Sequence, residues 1–413
     1  MSTRIRTALV IGGGIAGPIT AMALQQAGIE ATVYEAYANT ADGLGGGMTI
    51  APNGQDALDA VGLGELLRPL GVPMTGIVMQ DWAGRRLAEF GNPPGVPPMQ
   101  LVWRADLYTA LYGEAERRGI RIEHDRRLVD ATETADGITA HFADGSQATA
   151  DVLIGADGIR STVRTLIDPD APGPQYAGLI SFGARVRQVA TPSTRSKMNM
   201  SFGKQAFLGY QVLDDATGIW FVNLPHQEPM SAAEVQRTPA AEWLALLGGK
   251  FADDRTPARE LIGRTTPEEL IMVGPMENMP QVPVWRRGRM VLVGDSAHAP
   301  SSSSGQGASL SIESAIELAR CLRDLPYDQA FAAYEQLRRP RVERIIKETT
   351  RKNSAKAAGP VGRVVFAMMM RVFGRLAKPE KMAWMFDHRI DWDAEVADAE
   401  VADAGVADAG VAA

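Results

Sequence analysis

Three stretches of this chain combine residue types that handle phosphates, hydroxyls and flat ligands. The first is Gly12-Gly13-Gly14-Ile15-Ala16-Gly17, with Glu35 further on. Glycines at 12, 14 and 17 have the spacing of a dinucleotide-binding turn. Gly12 permits the turn, Gly14 lets backbone approach a pyrophosphate, and Gly17 lets a helix pack closely on the preceding strand. The helix entrance at Ile15 and Ala16 offers free N–H groups and the positive end of a dipole. Glu35 closes the next strand, where a carboxylate accepts both hydroxyls of an adenosine ribose. An acid there suits FAD or NAD rather than NADP. The competing reading is an ordinary strand–helix turn that holds no ligand.

The second stretch is Asp157-Gly158, delivered by the apolar run 151–156 to a strand–helix junction. It either aims a carboxylate and bare backbone at a ligand or is turn chemistry alone. The third is Gly294-Asp295, after the apolar run 289–293, followed by Gly305-Gln306-Gly307-Ala308-Ser309 at the mouth of a helix. Asp295 would project from the carboxyl end of its strand, where open α/β sheets bind ligands. The glycine-rich helix entrance is again suited to an anion or a dipole.

The elements that must position these residues follow from periodicity. Residues 7–11 and 30–35 read as strands around a helix that runs to Gln26, with Pro18 in its first turn, where a missing N–H costs nothing. Residues 42–54 form a glycine-dense loop that includes Gly46, Gly47 and Met48. It suits either close approach to a flat ligand or a surface loop. Residues 55–67 read as a helix, 72–98 as a hairpin, 104–118 as a helix and 119–156 as strands with a tight turn at 143–146. From 176 to 284 the pattern alternates, with strands over 178–187, 197–202, 206–213 and 218–224 and a helix over 239–247. This is the pattern of a largely antiparallel second domain. Residues 334–353 read as a basic helix with a solvated face. The Met-rich run 366–373 reads as a terminal helix packed on the core, or as a contact with a membrane surface or partner. Repeats of Val-Ala-Asp-Ala after Ala394 carry few bulky side chains and read as disordered.

The expected architecture is therefore α/β. A discontinuous first domain covers 1–72, 99–175 and 285–340, and a mostly antiparallel β-sheet domain covers 73–98 and 176–284. C-terminal helices cover 341–390, and a low-complexity tail covers 391–413. The chain has 413 residues, 45% hydrophobic and 22% charged, with a formal charge of -7 and a pI near 5.4. That acidity argues against nucleic acid as a partner, because no basic field would hold a phosphate backbone. A single cysteine, Cys321, rules out an internal disulfide framework and fits a reducing cytoplasm. No stretch is long and apolar enough for a transmembrane segment. There is no Ser-His-Asp set and no metal-spaced cluster, so no metal site is assigned.

Taken in order, Gly12–Gly17 with Glu35, Asp157-Gly158, and Gly294-Asp295 with Gly305-Gln306-Gly307 resemble the class A flavoprotein monooxygenases. These are the aromatic hydroxylases built on the para-hydroxybenzoate hydroxylase fold, and the resemblance covers roughly residues 4–339. It implies a Rossmann-like FAD-binding domain beside a substrate domain. It implies that the first motif binds the ADP part of FAD and that Asp157 and Gly158 serve FAD and the transient nicotinamide nucleotide. By the same resemblance, Asp295 holds the ribityl chain, and Gly307 and Ala308 in the turn begun by Gly305 donate to the flavin O2 side. Arg104 lies near the phosphates and ribityl, Gly46 and Gly47 lie against the isoalloxazine, and Val129 makes an adenine-side backbone contact. Three positions depart from the family pattern: Ala36 where a basic residue is common, Ser301 and Ser302 where prolines often stand, and Ser309 in place of an asparagine.

The implied activity is monooxygenation. NADH or NADPH, a choice the chain leaves open, would reduce FAD. O2 would add at C4a, and the hydroperoxide would pass one oxygen atom to an aromatic or polyketide-like substrate. The alternatives are a flavin-dependent reductase or dehydrogenase on the same scaffold and a flavin-binding protein without turnover. No catalytic residue is assigned; His226 reads as a structural histidine ahead of a base for a phenolic substrate. Met48, Met198, Met200, Phe202, Phe207, Tyr210, Trp220 and Asn223 are the candidates for the substrate cleft, from their place on the chain. Monomer and homodimer both remain open.

Overall fold

The computed structural model describes residues 4–38, 46–301, 305–353 and 382–396. Residues 39–45 of the glycine-dense loop, residues 302–304, the Met-rich run and the repeats from 397 onward lie outside the described residues.

A six-stranded sheet carries the first domain, in the order Arg286–Arg287, Met290–Leu292, Val152–Gly155, Thr7–Ile11, Glu30–Tyr34 and Arg121–Glu123. All its pairings are parallel except the two-residue edge strand. Its central strands are short apolar runs buried on both faces, as parallel strands must be when helices cover each side. Helices Ala16–Gln26 and Gly307–Asp324 pack against each other over one face. Cys321 lies buried on the second of them. The chain turns from Ala143 to Ser146 as expected, with Gly145 at φ +85°.

The second sheet has seven strands, in the order Ile271–Asn278, Gln175–Val186, Gly218–Pro225, Phe207–Val212, Lys197–Phe202, Gly76–Asp81 and Arg86–Gly91. It is antiparallel apart from the pairing of Lys197–Phe202 with Gly76–Asp81. One face is covered by helices Ala232–Arg237, Ala240–Lys250 and Ala258–Arg264, which bury Phe182, Leu208, Trp220, Leu247 and Phe251. The opposite face looks toward a three-stranded sheet made of Gly47–Ile50, Met99–Trp103 and Val72–Met74. Between them lies a separate apolar layer of Ala51, Met74, Met99, Leu101, Trp103, Met198 and Ile219.

Several expectations need correction. The helix read over 55–67 is two pieces, Pro52–Ala60 and Gly64–Leu67, because Gly62 at φ +72° turns the chain between them. The strand Ile271–Asn278 and helices Ala232–Arg237 and Ala258–Arg264 were not read from the sequence at all. The basic helix is Tyr327–Asn353; it crosses residue 340, and its arginines are not simply solvated. Arg338 is buried and meets the buried carboxylate of Glu313 at 2.6 Å, and Arg341 reaches the same carboxylate at 2.9 Å. The described part of the tail, through Val396, is anchored at its end: Val396 is buried and donates its N–H to Asp324.

Candidate cofactor groove and substrate cleft

The three motifs meet at the carboxyl ends of three adjacent parallel strands. Gly12 has φ +107°, and a Cβ there would lie 2.5 Å from the carbonyl oxygen of Ala156 and 2.8 Å from Cα of Asp157. Only glycine tolerates both the dihedral and the approach. Gly294, at φ +66°, opens a single 3-10 turn, Gly294–Ser296, so close to the first helix that a Cβ would stand 3.1 Å from Cβ of Ala16. Arg164 is buried and ties the second and third motifs together, donating to the carbonyls of Ile159 and Ser296. Ser296 lies within hydrogen-bond reach of the carbonyls of Gly155 and Val293. Neither Arg164 nor Ser296 carried a signal in the sequence, because their partners are backbone atoms more than a hundred residues away or within a single turn.

Individual positions behave differently. A Cβ at Gly14 would meet nothing nearer than the Tyr108 hydroxyl, at 3.8 Å. The carboxylate of Glu35 accepts N–H groups from Gly13 at 2.6 Å and Tyr37 at 3.0 Å, which sets it beside the glycine turn at the end of its strand. Tyr112 donates to the Gly13 carbonyl at 2.8 Å and holds the turn from the other side. Arg126 donates its backbone N–H to Glu35 O. This brings the following strand, Leu128–Glu133 with the exposed side chain of Val129, alongside Glu35. Asp157 caps helix Thr162–Ile167, accepting from the N–H groups of Thr162 and Val163 and from the Ser161 hydroxyl. Its carboxylate is thus spent on turn chemistry, and burial pushes it above the ordinary carboxylate range. Gly158, at φ +76°, leaves bare backbone beside it, with nothing within 4 Å of a Cβ position.

Asp295 is half-buried. Burial raises its carboxyl to about 6, against the opposing pull of Arg104 and a hydrogen bond from Ser311. Arg104 begins helix Arg104–Arg117 and donates its N–H to the carbonyl of Gly46, while its buried Nε has no hydrogen-bond partner. The turn at Gly305–Ala308 and the helix it opens are fixed by four bonds from the opposite segment. Thr49 donates to Gly305 O, the Ala51 N–H to the Ser309 hydroxyl, and the Asn53 amide to both Gln306 and Glu313. Ser309 therefore holds the junction between strand Gly47–Ile50 and helix Pro52–Ala60 in place.

A groove with a glycine turn, a carboxylate at one end, an underbonded guanidinium in the middle and a second carboxylate beyond it fits a flavin dinucleotide. The family described as FAD binding domain matches residues 6–246 and 250–349. The chain belongs to that family. A 3-amino-4-hydroxybenzoate 2-monooxygenase of Streptomyces platensis is 33% identical over 349 residues, 81% of this chain and 85% of the relative. A FAD-dependent urate hydroxylase of Klebsiella pneumoniae is 28% identical over 355 residues, 82% and 87% of the two chains. The fold is shared with Klebsiella pneumoniae HpxO, solved with FAD and uric acid, at TM-score 0.82 and 24% identity over 92% of this chain and 96% of that one. This flavoprotein is a class A FAD-dependent monooxygenase, and FAD is its cofactor. Among the described residues no helix is long and apolar enough to cross a membrane.

Strand pleating sorts the cleft candidates. Phe202, Phe207 and Asn223 lie opposite one another across three strands and so share a face, together with Met198 and Met200. That face looks toward the flavoprotein's first domain, where Met198 packs with Met99, and Met99 in turn borders Gly305, its Cε 3.2 Å from a Cβ position there. Tyr210 and Trp220 are paired with each other on the opposite face, under the helices, and the Trp220 indole donates to Thr265. Met48 packs half-buried with the first-domain core. Tyr210 and Trp220 are corrections. The sequence reading missed Ile219 and Phe221, which alternate with Trp220 and so face the cleft. The Phe221 ring lies over Gly209, where a Cβ would stand 2.1 Å from it. Arg185, on the same face, stacks on Trp103 at 4.8 Å. His226 sits in a surface turn, its Nδ1 against Glu228 O, away from this face.

Proposed function

We propose that this flavoprotein hydroxylates a small, mainly apolar aromatic compound bound between the Gly305–Ala308 turn and the aromatic face of the second sheet. The observation that carries this reading is the trio Phe202, Phe207 and Phe221. The first two rings meet edge-on at 5.1 Å, and the third lies 6.1 Å from the second, all on the face that fronts the cofactor domain. Aromatic rings favour such offset and edge-on contacts with a further ring. The hydrogen-bonded pair Ser181–Asn223, at 3.1 Å on the same face, supplies a polar group that orients a hydroxyl or carbonyl on the substrate.

Bound FAD, reduced by NADH or NADPH, supplies O2 activation and oxygen-atom transfer. The chain's own residues do the rest. Glu35 and the Gly12–Gly17 turn hold the adenosine and pyrophosphate end. Arg104 would neutralise phosphate, Asp295 would hold the ribityl chain, and the Gly307 and Ala308 N–H groups would donate to the flavin. Gly46, Gly47, Val129 and the backbone of Asp157 and Gly158 would complete the contacts. The apolar layer of Met99, Trp103, Met198 and Ile219 keeps water from the reacting centre. The work suits a reducing cytoplasm in which NAD(P)H is plentiful.

The test is a coupled assay. The purified protein should be yellow. NAD(P)H oxidation should rise on adding an aromatic substrate, with one O2 consumed and one oxygen atom found in product. Substrate oxidation without oxygen incorporation would replace this reading with a dehydrogenase, and a yellow but inert protein would replace it with a carrier.

A further inference from the structure

Helix Arg104–Arg117 sets Arg104, Tyr108 and Tyr112 on one stripe, a turn apart. Tyr112 is already engaged on the Gly13 carbonyl. Tyr108 is not: among the described residues its half-buried hydroxyl has no hydrogen-bond partner. Yet that hydroxyl is the one atom facing the bare side of Gly14, 3.8 Å from a Cβ position. The Arg104 guanidinium lies 6.0 Å from its ring centroid. The charges that act on it are those of Arg104, Glu35 and Asp295, the residues at the middle and both ends of the cofactor groove. Burial pushes the phenol above its ordinary range, so at neutral pH it is a donor.

We propose that Tyr108 is a cofactor-binding residue whose hydroxyl donates to the FAD pyrophosphate where it crosses Gly14. A dinucleotide stretched from Glu35 to Asp295 has its pyrophosphate at the midpoint, over the helix N-terminus. Arg104 brings charge to that midpoint. Tyr108 adds a neutral donor on the face opposite the glycine turn, which strengthens the grip without a second cation beside Arg104. The inference rests on the FAD reading above.

Tyr108→Phe removes the oxygen and keeps the ring, so the fold is not at risk. Apoprotein would be titrated with FAD by quenching of flavin fluorescence, and with ADP as competitor. Loss of a hydrogen bond to a charged group predicts about tenfold weaker binding of both ligands. The melting temperature of the apoprotein should not change. Tyr112→Phe provides the contrast, because it should lower that melting temperature by releasing the Gly13 carbonyl. Unchanged affinity for FAD and ADP in Tyr108→Phe would overturn the assignment, as would weaker FAD binding with ADP unaffected, which would put the hydroxyl on the ribityl. Wild-type protein that takes up no FAD would instead bring down the flavin reading itself.

Discussion

A Cβ on Gly17 would stand 1.9 Å from the carbonyl oxygen of Gly12, so the first helical turn rests directly on the loop that opens it. Gly14, three residues earlier, has no such neighbour. The two glycines should therefore fail in different ways. Gly17→Ala forces the helix off the turn, with a loss of about 1–3 kcal/mol from overpacking and weak FAD uptake. Gly14→Ala should leave the apoprotein's melting temperature intact and weaken FAD binding alone. Denaturant melts of both apoproteins, beside FAD titrations, separate the two effects.

Asp295 should stabilise the loaded protein and destabilise the empty one. Its carboxyl stands at about 6 in the fold, above the ordinary aspartate value near 4. Between those values the native state holds more protons than the unfolded chain, so the apoprotein loses stability as pH rises through this window. Above it the whole cost is present, on the order of 1–3 kcal/mol. Asp295→Asn apoprotein should thus melt higher than wild type at pH 7, and the gap should close below pH ~4. The same variant should bind FAD less tightly. A gap independent of pH would refute the account.

Glu313 contributes in the opposite sense. Arg338 and Arg341 hold its buried carboxylate well below the ordinary range. Its contribution is present at neutral pH and is lost as pH falls below the ordinary glutamate value. Glu313→Ala leaves the buried guanidinium of Arg338 without its counter-charge and should cost about 3–5 kcal/mol by denaturant melting.

Acid should weaken the fold earlier than those carboxylates do. Burial drives His298 down to about 3 and His388 to about 4. Below the ordinary histidine value, near 6.5, the unfolded chain takes up protons that the native state refuses. Melting temperature should fall as pH drops from about 6.5 to about 4, and His388→Asn should flatten part of that slope.

In the cleft, Gly209 makes room for the Phe221 ring. Gly209→Ala should push that ring aside and change the KM for aromatic substrates, or raise NAD(P)H consumption without product. FAD affinity should not change. A variant with altered FAD affinity and unaltered KM would disconnect Phe221 from the substrate.

The cofactor half was readable because each glycine answers a local demand: a dihedral at Gly12, a contact at Gly17. The substrate half was only partly so. Alternation in Gly218–Pro225 distinguishes Trp220 from Phe221, but not which of them faces the cleft. That depends on helices Ala232–Arg237 and Ala258–Arg264, which come later in the chain and cover the Trp220 side. The arginine stripe on Tyr327–Asn353 was plain as a charge pattern. Its burial depends on a lone carboxylate at Glu313, placed opposite it by tertiary packing.

The segment 382–396 has a practical consequence for anyone shortening this chain. Arg341 donates to the carbonyls of Trp384 and Met385, Arg320 to those of Asp391 and Ala394, and Arg323 to that of Trp392. Phe386 packs against both the first-domain core and the layer between the sheets. Cutting ahead of Met382 would strip three cations of these acceptors and uncork the seam between the sheets, so expression trimming should begin beyond Val396.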